Sequence, residues 1–346
     1  MKTTAAAITL ALSALSAVSA LPTNVTAPIA RRQCAPTTPP TPTPDPAPPS
    51  DPTPSDPAPP SGGGGGSTSG AQYTVYADAW LSDQNFPTAA DIDGYTGFYL
   101  AFWMSKQRAD NAQSWESMDA ATRDKLKSAL TANGAKLMVS AFGATEFPTT
   151  GGVDPVGAAQ SLAQWCKDYG MDGVDVDYED LDAFNNGSGA EDWLISFTKA
   201  LRDALPSPFI ITHAPLAPWF QPGEKWKGGG YLKVDKEVGS LIDWYNMQFY
   251  NQGVDVYTDC AGLMEKSADD WPQTSVMEMI ANGVDGSKIV VGKPATAADA
   301  SNGFFEPGPL GQCLKQYVGK NGFTGGAMTW QWNHAGKDWV SAVKNA

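Results

Sequence analysis

The residues best placed to do chemistry lie in one run, Asp172-Gly173-Val174-Asp175-Val176-Asp177-Tyr178-Glu179. In an extended strand, side chains alternate between the two faces. Asp175, Asp177 and Glu179 then share one face. Val174, Val176 and Tyr178 share the other, which suits packing against a second layer. Three acids on one face of a buried strand repel one another and lose hydration. Such a group must share protons, so at least one carboxyl stays protonated near neutral pH. A protonated carboxyl at the mouth of a fold is what general acid catalysis needs. A solvated acidic edge or a calcium site is the competing reading, but a buried acid row is hard to explain structurally, and a calcium loop would set Asn and Gly between its acids on a turn, where this run has valines.

Such a row needs a frame of strands to hold it. Apolar runs predict strands at Tyr73–Asp78, Gly97–Trp103, Lys136–Phe142, Gly173–Glu179, Phe209–Ala214, Trp244–Tyr250, Lys288–Gly292 and Gly326–Trp330. Helical patterns fall between them, at Ala120–Ala132, Pro155–Tyr169, Glu191–Ala204, Val276–Asn282 and Leu310–Tyr317, with Pro and Gly at the joints. About eight strand–helix alternations over roughly 250–280 residues predict an α/β fold, the (β/α)8 TIM barrel. A doubly wound open sheet is the alternative, but no Gly-rich nucleotide loop follows the first strand. In a barrel, polar residues at the C-terminal strand ends converge on one site.

The acid run resembles the signature of glycoside hydrolase family 18, Asp-Gly-x-Asp-x-Asp-x-Glu, at every fixed position. Met247-Gln248-Phe249-Tyr250-Asn251 is similar to the sixth strand of the plant and fungal class III chitinases in that family. Thr212-His213-Ala214-Pro215 resembles their fifth strand, and Gly325-Gly326-Ala327-Met328-Thr329-Trp330 their eighth. The third strand departs from the pattern: the family's Ser-x-Gly-Gly reads Ser140-Ala141-Phe142-Gly143 here.

The resemblance implies a substrate-assisted route, an exception to the usual pair of carboxylates. Glu179 would protonate the glycosidic oxygen. Asp177 would orient the substrate's 2-acetamido group, whose carbonyl attacks the anomeric carbon, and Asp175 would share a proton with Asp177. Tyr250 would hydrogen-bond the acetamido oxygen, with Gln248 on the same strand face, and Trp330 would stack on the sugar. The route needs no metal or organic cofactor. Tyr76, late in the first strand, is a candidate for the site's lining or for the core, and the sequence leaves both open. His213 and His334 are the only histidines, and neither has a Cys or second His at metal-ligand spacing. No Gly-x-Ser-x-Gly elbow is present, which argues against a serine hydrolase.

The chain opens with Met1-Lys2, an apolar run from Ala5 to about Leu15, and Ala17-Val18-Ser19-Ala20. This predicts a signal peptide over 1–20 and a secreted, extracellular protein. Arg31-Arg32 marks a pro-segment over 21–32. Residues 33–70 are rich in Pro, Ser, Thr and Gly, with too little apolar surface to offset ordering entropy. They read as a disordered linker before the catalytic domain, 71–346. Four Cys in an oxidising compartment allow three pairings, of which Cys260 with Cys313 is the expected one. Asn24-Val25-Thr26 and Asn186-Gly187-Ser188 are glycosylation sequons.

A formal charge of −14 argues against nucleic acid and anionic membranes as partners. The expected partner is chitin or N-acetylglucosamine oligosaccharides, met by a monomer. Three functions compete: an endo-acting chitinase, an endo-β-N-acetylglucosaminidase cutting the chitobiose core of N-glycans, and a non-catalytic sugar-binding protein on the same barrel. The intact acid row argues against the last. Because 33–70 supplies no core, a chain beginning at Ala71 is predicted to turn over soluble oligomers as the full chain does. A large loss of that activity would show that the segment packs on the barrel.

Overall fold

The computed structural model describes residues 70–346. The expected signal peptide, pro-segment, linker up to residue 69 and first sequon lie outside the described residues. Eight parallel strands close into a barrel in chain order. They are β1 (Tyr73–Ala77), β2 (Gly97–Trp103), β3 (Lys136–Gly143), β4 (Gly173–Tyr178), β5 (Ile210–His213), β6 (Trp244–Gln248), β7 (Ile289–Pro294) and β8 (Gly326–Trp330). β8 pairs back onto β1, which leaves no open edge. Parallel strands are covered on both faces and so read as nearly continuous apolar runs. Every residue of β4 and β7 is accordingly buried.

Among the described residues the helices are α1 (Asp110–Ser117), α2 (Ala120–Leu130), α3 (Pro155–Asp168), α4 (Leu181–Asn186), α5 (Ala190–Ala204), α6 (Gly230–Val238), α7 (Cys260–Met264), α8 (Val276–Ala281), α9 (Pro307–Lys315) and α10 (Trp332–Lys344). None is long and apolar enough to cross a membrane. Their starts follow from local chemistry. Asp154 accepts the Gly157 N–H ahead of Pro155 at the head of α3. Ser275 and Glu278 form a reciprocal capping box on α8. On α5, Trp193, Leu194, Phe197 and Leu201 make one buried stripe against the sheet.

All eight expected strands are present; Gly97–Trp103 and Gly326–Trp330 have the expected bounds, and the other six differ at one or both ends. The strand expected to reach Tyr250 stops at Gln248, and by Asn251 the chain has a φ of 64° and has left the sheet. The strand expected over 288–292 runs on to Pro294. The helix expected over 310–317 starts at Pro307, because proline's fixed φ and missing N–H suit a first helical turn. Cys260 at the head of α7 and Cys313 in α9 form the expected disulfide, while Cys166 is free and buried in α3.

The barrel lumen is packed with Tyr76, Tyr99, Met138, Ile210, Trp244, Val290 and Met328. Gly173, the glycine of the acid run, opens β4 against this layer. A Cβ there would lie 2.1 Å from the Ile210 carbonyl oxygen. That atom is backbone of β5 and cannot step aside without breaking the strand pairing that sets the acid row's register. Gly173→Ala is therefore predicted to destabilise the barrel by at least ~2 kcal/mol, within the range for overpacking. Denaturant unfolding measures it, and an unchanged midpoint would contradict the close approach.

Candidate functional site

β4 carries the acid row into the barrel with the alternation its sequence requires. Asp175 lies deepest, with no exposure to solvent. The hydroxyls of Thr212 (2.6 Å), Ser140 (2.8 Å) and Tyr76 (2.8 Å) donate to its carboxylate, and the Asn246 amide approaches at 3.3 Å. Thr212 and Ser140 are Asp175's register partners on the two flanking strands, so the sheet itself sets these contacts. Burial pushes the Asp175 carboxyl up to about 6, against the opposing pull of the four donors.

Asp177 sits one step nearer the mouth and Glu179 one residue past the strand's end. The Gln248 amide, at the end of β6, donates to Asp177 at 2.9 Å, reaches Glu179 at 3.5 Å and is anchored on the Ala214 carbonyl at 2.9 Å. Burial holds Asp177 well above the usual carboxylate range, and repulsion from Glu179 and Asp175 adds to it. Burial also raises Glu179, while hydrogen bonds from Gln248 and Asp177 oppose the rise. The two carboxyls lie close enough that their titrations are linked, so the raised protonation belongs to the pair and not to either acid alone.

Above the pair is a cavity of about 310 Å³, lined among others by Asp177, Glu179, Gln248, Tyr250, Asn251 and Trp330. The Trp330 indole stacks on Phe102 at 6.0 Å, and the Phe102 ring lies against Gly143, where a Cβ would come within 2.9 Å of it. These rings form an apolar wall opposite the acids. Asp78 at the end of β1 and Asp110 at the head of α1 form a second carboxyl pair on the rim. Burial and repulsion from Asp110 push Asp78 up to about 6. Asp299 lines the cavity while pairing with His334 at 2.5 Å. The arrangement can deliver a proton at one wall and hold the apolar face of a ring at the other.

The departure in the third strand has a structural answer. Phe142, where the family pattern has Gly, adopts a φ of 80°, the left-handed region that glycine enters freely. A bulky residue there carries strain of roughly 1–3 kcal/mol. Its ring is fully buried, edge-on to Trp103, Trp193 and Phe197, and that packing offsets the strain. The backbone beside the acids thus keeps a glycine-like path.

The structure brings Asp175, Asp177, Glu179, Gln248, Tyr250 and Trp330 together. Tyr76 lies a layer lower. It is 2% exposed, stacked on Tyr99, and its hydroxyl is spent on Asp175, so it braces the acid row from the core side and does not line the cavity. His213 is a core residue held by Thr198 and Tyr231, and burial lowers it to about 3. Ser140, Thr212 and Asn246 were not singled out from the sequence. The available signal was a polar residue within each of three largely apolar strands, next to His213 in β5 and two residues before Gln248 in β6.

A family profile described as glycosyl hydrolases family 18 matches residues 72–333. A chitinase of Enterococcus faecalis is 27% identical over 190 residues, covering 51% of this chain and 53% of the relative. The chain spans about half or less of the length of the curated relatives it matches. A solved GH18 chitinase from Pseudoalteromonas aurantia superposes with a TM-score of 0.65 at 28% identity, covering 80% of this chain and 99% of that one. A fungal endo-β-N-acetylglucosaminidase of family 18 superposes at 0.59 with 20% identity, covering 79% and 96%. That second likeness speaks to the fold alone.

The raised carboxyl of Asp175 has a sign that can be measured. Its folded value, about 6, exceeds the ordinary 3.8. Its contribution to stability is therefore fully present below about 4 and is lost as pH rises through about 6. At ~1.4 kcal/mol per pKa unit, about 3 kcal/mol should disappear between pH 4 and 7. The Asp175→Asn chain should lack this part of the slope. Equal slopes in the two chains, from denaturant unfolding across that range, would contradict the assignment.

Proposed function

Because the chain belongs to glycosyl hydrolases family 18 and is a glycoside hydrolase of the chitinase type, we propose that it cuts internal β-1,4 bonds of N-acetylglucosamine polymers with help from the substrate's own acetamido group. The observation that carries this reading is the carboxyl pair Asp177 and Glu179, bridged by the Gln248 amide and lining one cavity with Trp330.

Glu179, at the strand's mouth, gives its proton to the glycosidic oxygen as the bond to the anomeric carbon breaks. The acetamido carbonyl of the same sugar attacks that carbon from the other side and forms an oxazolinium ion. Asp177 turns to the acetamido N–H and stabilises the developing positive charge. Asp175, whose own carboxyl burial raises to about 6, holds a second proton of the row and shares it with Asp177 as Asp177 turns. The Tyr250 hydroxyl holds the acetamido oxygen on its attack line. Glu179, now a carboxylate, takes a proton from water, which opens the ring at the anomeric carbon. Both displacements invert that centre, so the product retains its configuration.

Between β7 and β8 the chain supplies α9 and a short 3-10 turn at Lys320–Gly322, too little for a further walling domain. This supports an open groove and cutting at internal bonds. Cleavage of the chitobiose core of N-glycans would use the same chemistry. The class III-like fifth, sixth and eighth strands favour chitin.

Glu179→Gln is predicted to lose hydrolysis by at least ~10²-fold while keeping its fold and its oligosaccharide affinity, because general acid catalysis is worth about 10²–10⁴. A chain that keeps more than about a hundredth of the activity would remove Glu179 from that role. End-labelled N-acetylglucosamine oligomers should give mixed short products from the first minutes. Disaccharide alone, released from one end, would contradict the open groove. Parallel assays on chitin oligomers and on a high-mannose glycoprotein decide between the two substrates.

A further inference from the structure

Lys293 is fully buried in β7, where an aliphatic side chain would be expected. Its strand neighbours Val290 and Val291 face the lumen and the outer layer respectively, so the alternation turns Lys293 outward, under the loops that leave β6 and β7. Among the described residues no carboxylate pairs with it. Its ammonium instead donates to three backbone carbonyls: Tyr257 at 2.6 Å, Phe249 at 2.7 Å and Gly303 at 3.1 Å. An ammonium has three N–H donors and no acceptor, so three carbonyls satisfy it completely. Burial lowers it to about 7, and the carbonyl dipoles act the other way by favouring the charged form.

The three carbonyls belong to the segments that frame Tyr250. Phe249's carbonyl is part of the peptide that leads into Tyr250. Gly303 lies flat against Tyr250: a Cβ there would come within 2.6 Å of its Cα. The same segments are laced together again. The Asn251 N–H donates to the Asn302 carbonyl at 3.1 Å, the Gly253 N–H to the Asn302 side chain at 3.0 Å, and the Ser301 N–H to the Asn251 side chain at 2.7 Å. Asn251, Asp255 and Tyr257 all have positive φ, so this stretch has no regular structure of its own to hold it. Tyr250 nonetheless stands 6% exposed in the cavity wall, with its hydroxyl unpartnered by any described residue.

We propose that Lys293 is a positioning residue for Tyr250: through the strap of 249–257 and 301–303 it fixes the tyrosine hydroxyl where the substrate's acetamido group must be met. This rests on the role given to Tyr250 above. Lys293 touches no substrate, so its effect must pass through Tyr250 and fall on turnover more than on binding.

The test is a double-mutant cycle of Lys293→Met and Tyr250→Phe, with kcat and KM measured on a soluble N-acetylglucosamine oligomer at about pH 5, where the ammonium is charged. Lys293→Met should lower kcat by about tenfold or more and change KM by less than about threefold. In the Tyr250→Phe background the same change should cost less than about twofold, because the hydroxyl it positions is already gone. Losses that multiply across the cycle would overturn the inference and leave the proposed function standing. An unaltered kcat in Tyr250→Phe alone would remove Tyr250 from the reaction and overturn both. If Lys293→Met does not fold, Asn302→Ala serves in its place. It cuts the same strap at a half-buried side chain, leaves Lys293 intact, and should couple to Tyr250→Phe in the same way. Independence of those two changes would overturn the inference.

Discussion

Asp175 is a carboxylate with no contact with water, placed two residues from a second buried acid on the same strand face. Left unpartnered, such a group would lose its proton only at great cost, or force the strand out of the barrel. Tyr76, Ser140, Thr212 and Asn246 prevent that by turning four donors onto it from four different strands. The barrel's closure is what lets β1, β3, β5 and β6 all reach one side chain on β4. In return the acid row stays crowded enough to hold protons that isolated carboxylates would release. Removing the charge should make the fold less dependent on pH, whereas the chemistry proposed above keeps it.

The same constraint explains several local costs. Gly173 gives up side-chain packing so that β4 can lie close to β5. Phe142 holds a glycine-like backbone next to Asp177, its register partner, and recovers the strain through its buried ring. Lys293 surrenders hydration to knot together loops that have no sheet or helix to order them. Each departs from a simple rule of sequence, and each lies within reach of the acid row or of Tyr250.

Much of this is legible in the sequence. Strand period two put Asp175, Asp177 and Glu179 on one face because the intervening Val174, Val176 and Tyr178 could only face the helices. The eight strands could be read because burial on both faces leaves long apolar runs. Two kinds of feature could not be read. Ser140, Thr212 and Asn246 matter through register across neighbouring strands, and a single strand's pattern carries no register. Asp78, Phe102, Asp110 and Asp299 come from strand ends and loops far apart in the chain, and they meet only because the barrel closes. Tyr76 shows the limit from the other side: its place late in β1 fitted both cavity and core, and only the direction of its hydroxyl toward Asp175 decides for the core.

The central claim is that the substrate's acetamido carbonyl is the nucleophile and that the acid row exists to deliver and redistribute the proton. The most direct measurement is kcat/KM across oligomers whose acetamido methyl carries no, one, two or three fluorines. Fluorine withdraws electrons from the carbonyl oxygen and weakens it as a nucleophile without removing it from the site. If the acetamido carbonyl attacks, kcat/KM falls steeply and monotonically along the series. A flat series would mean that some other group attacks the anomeric carbon, and would contradict the mechanism proposed for this acid row.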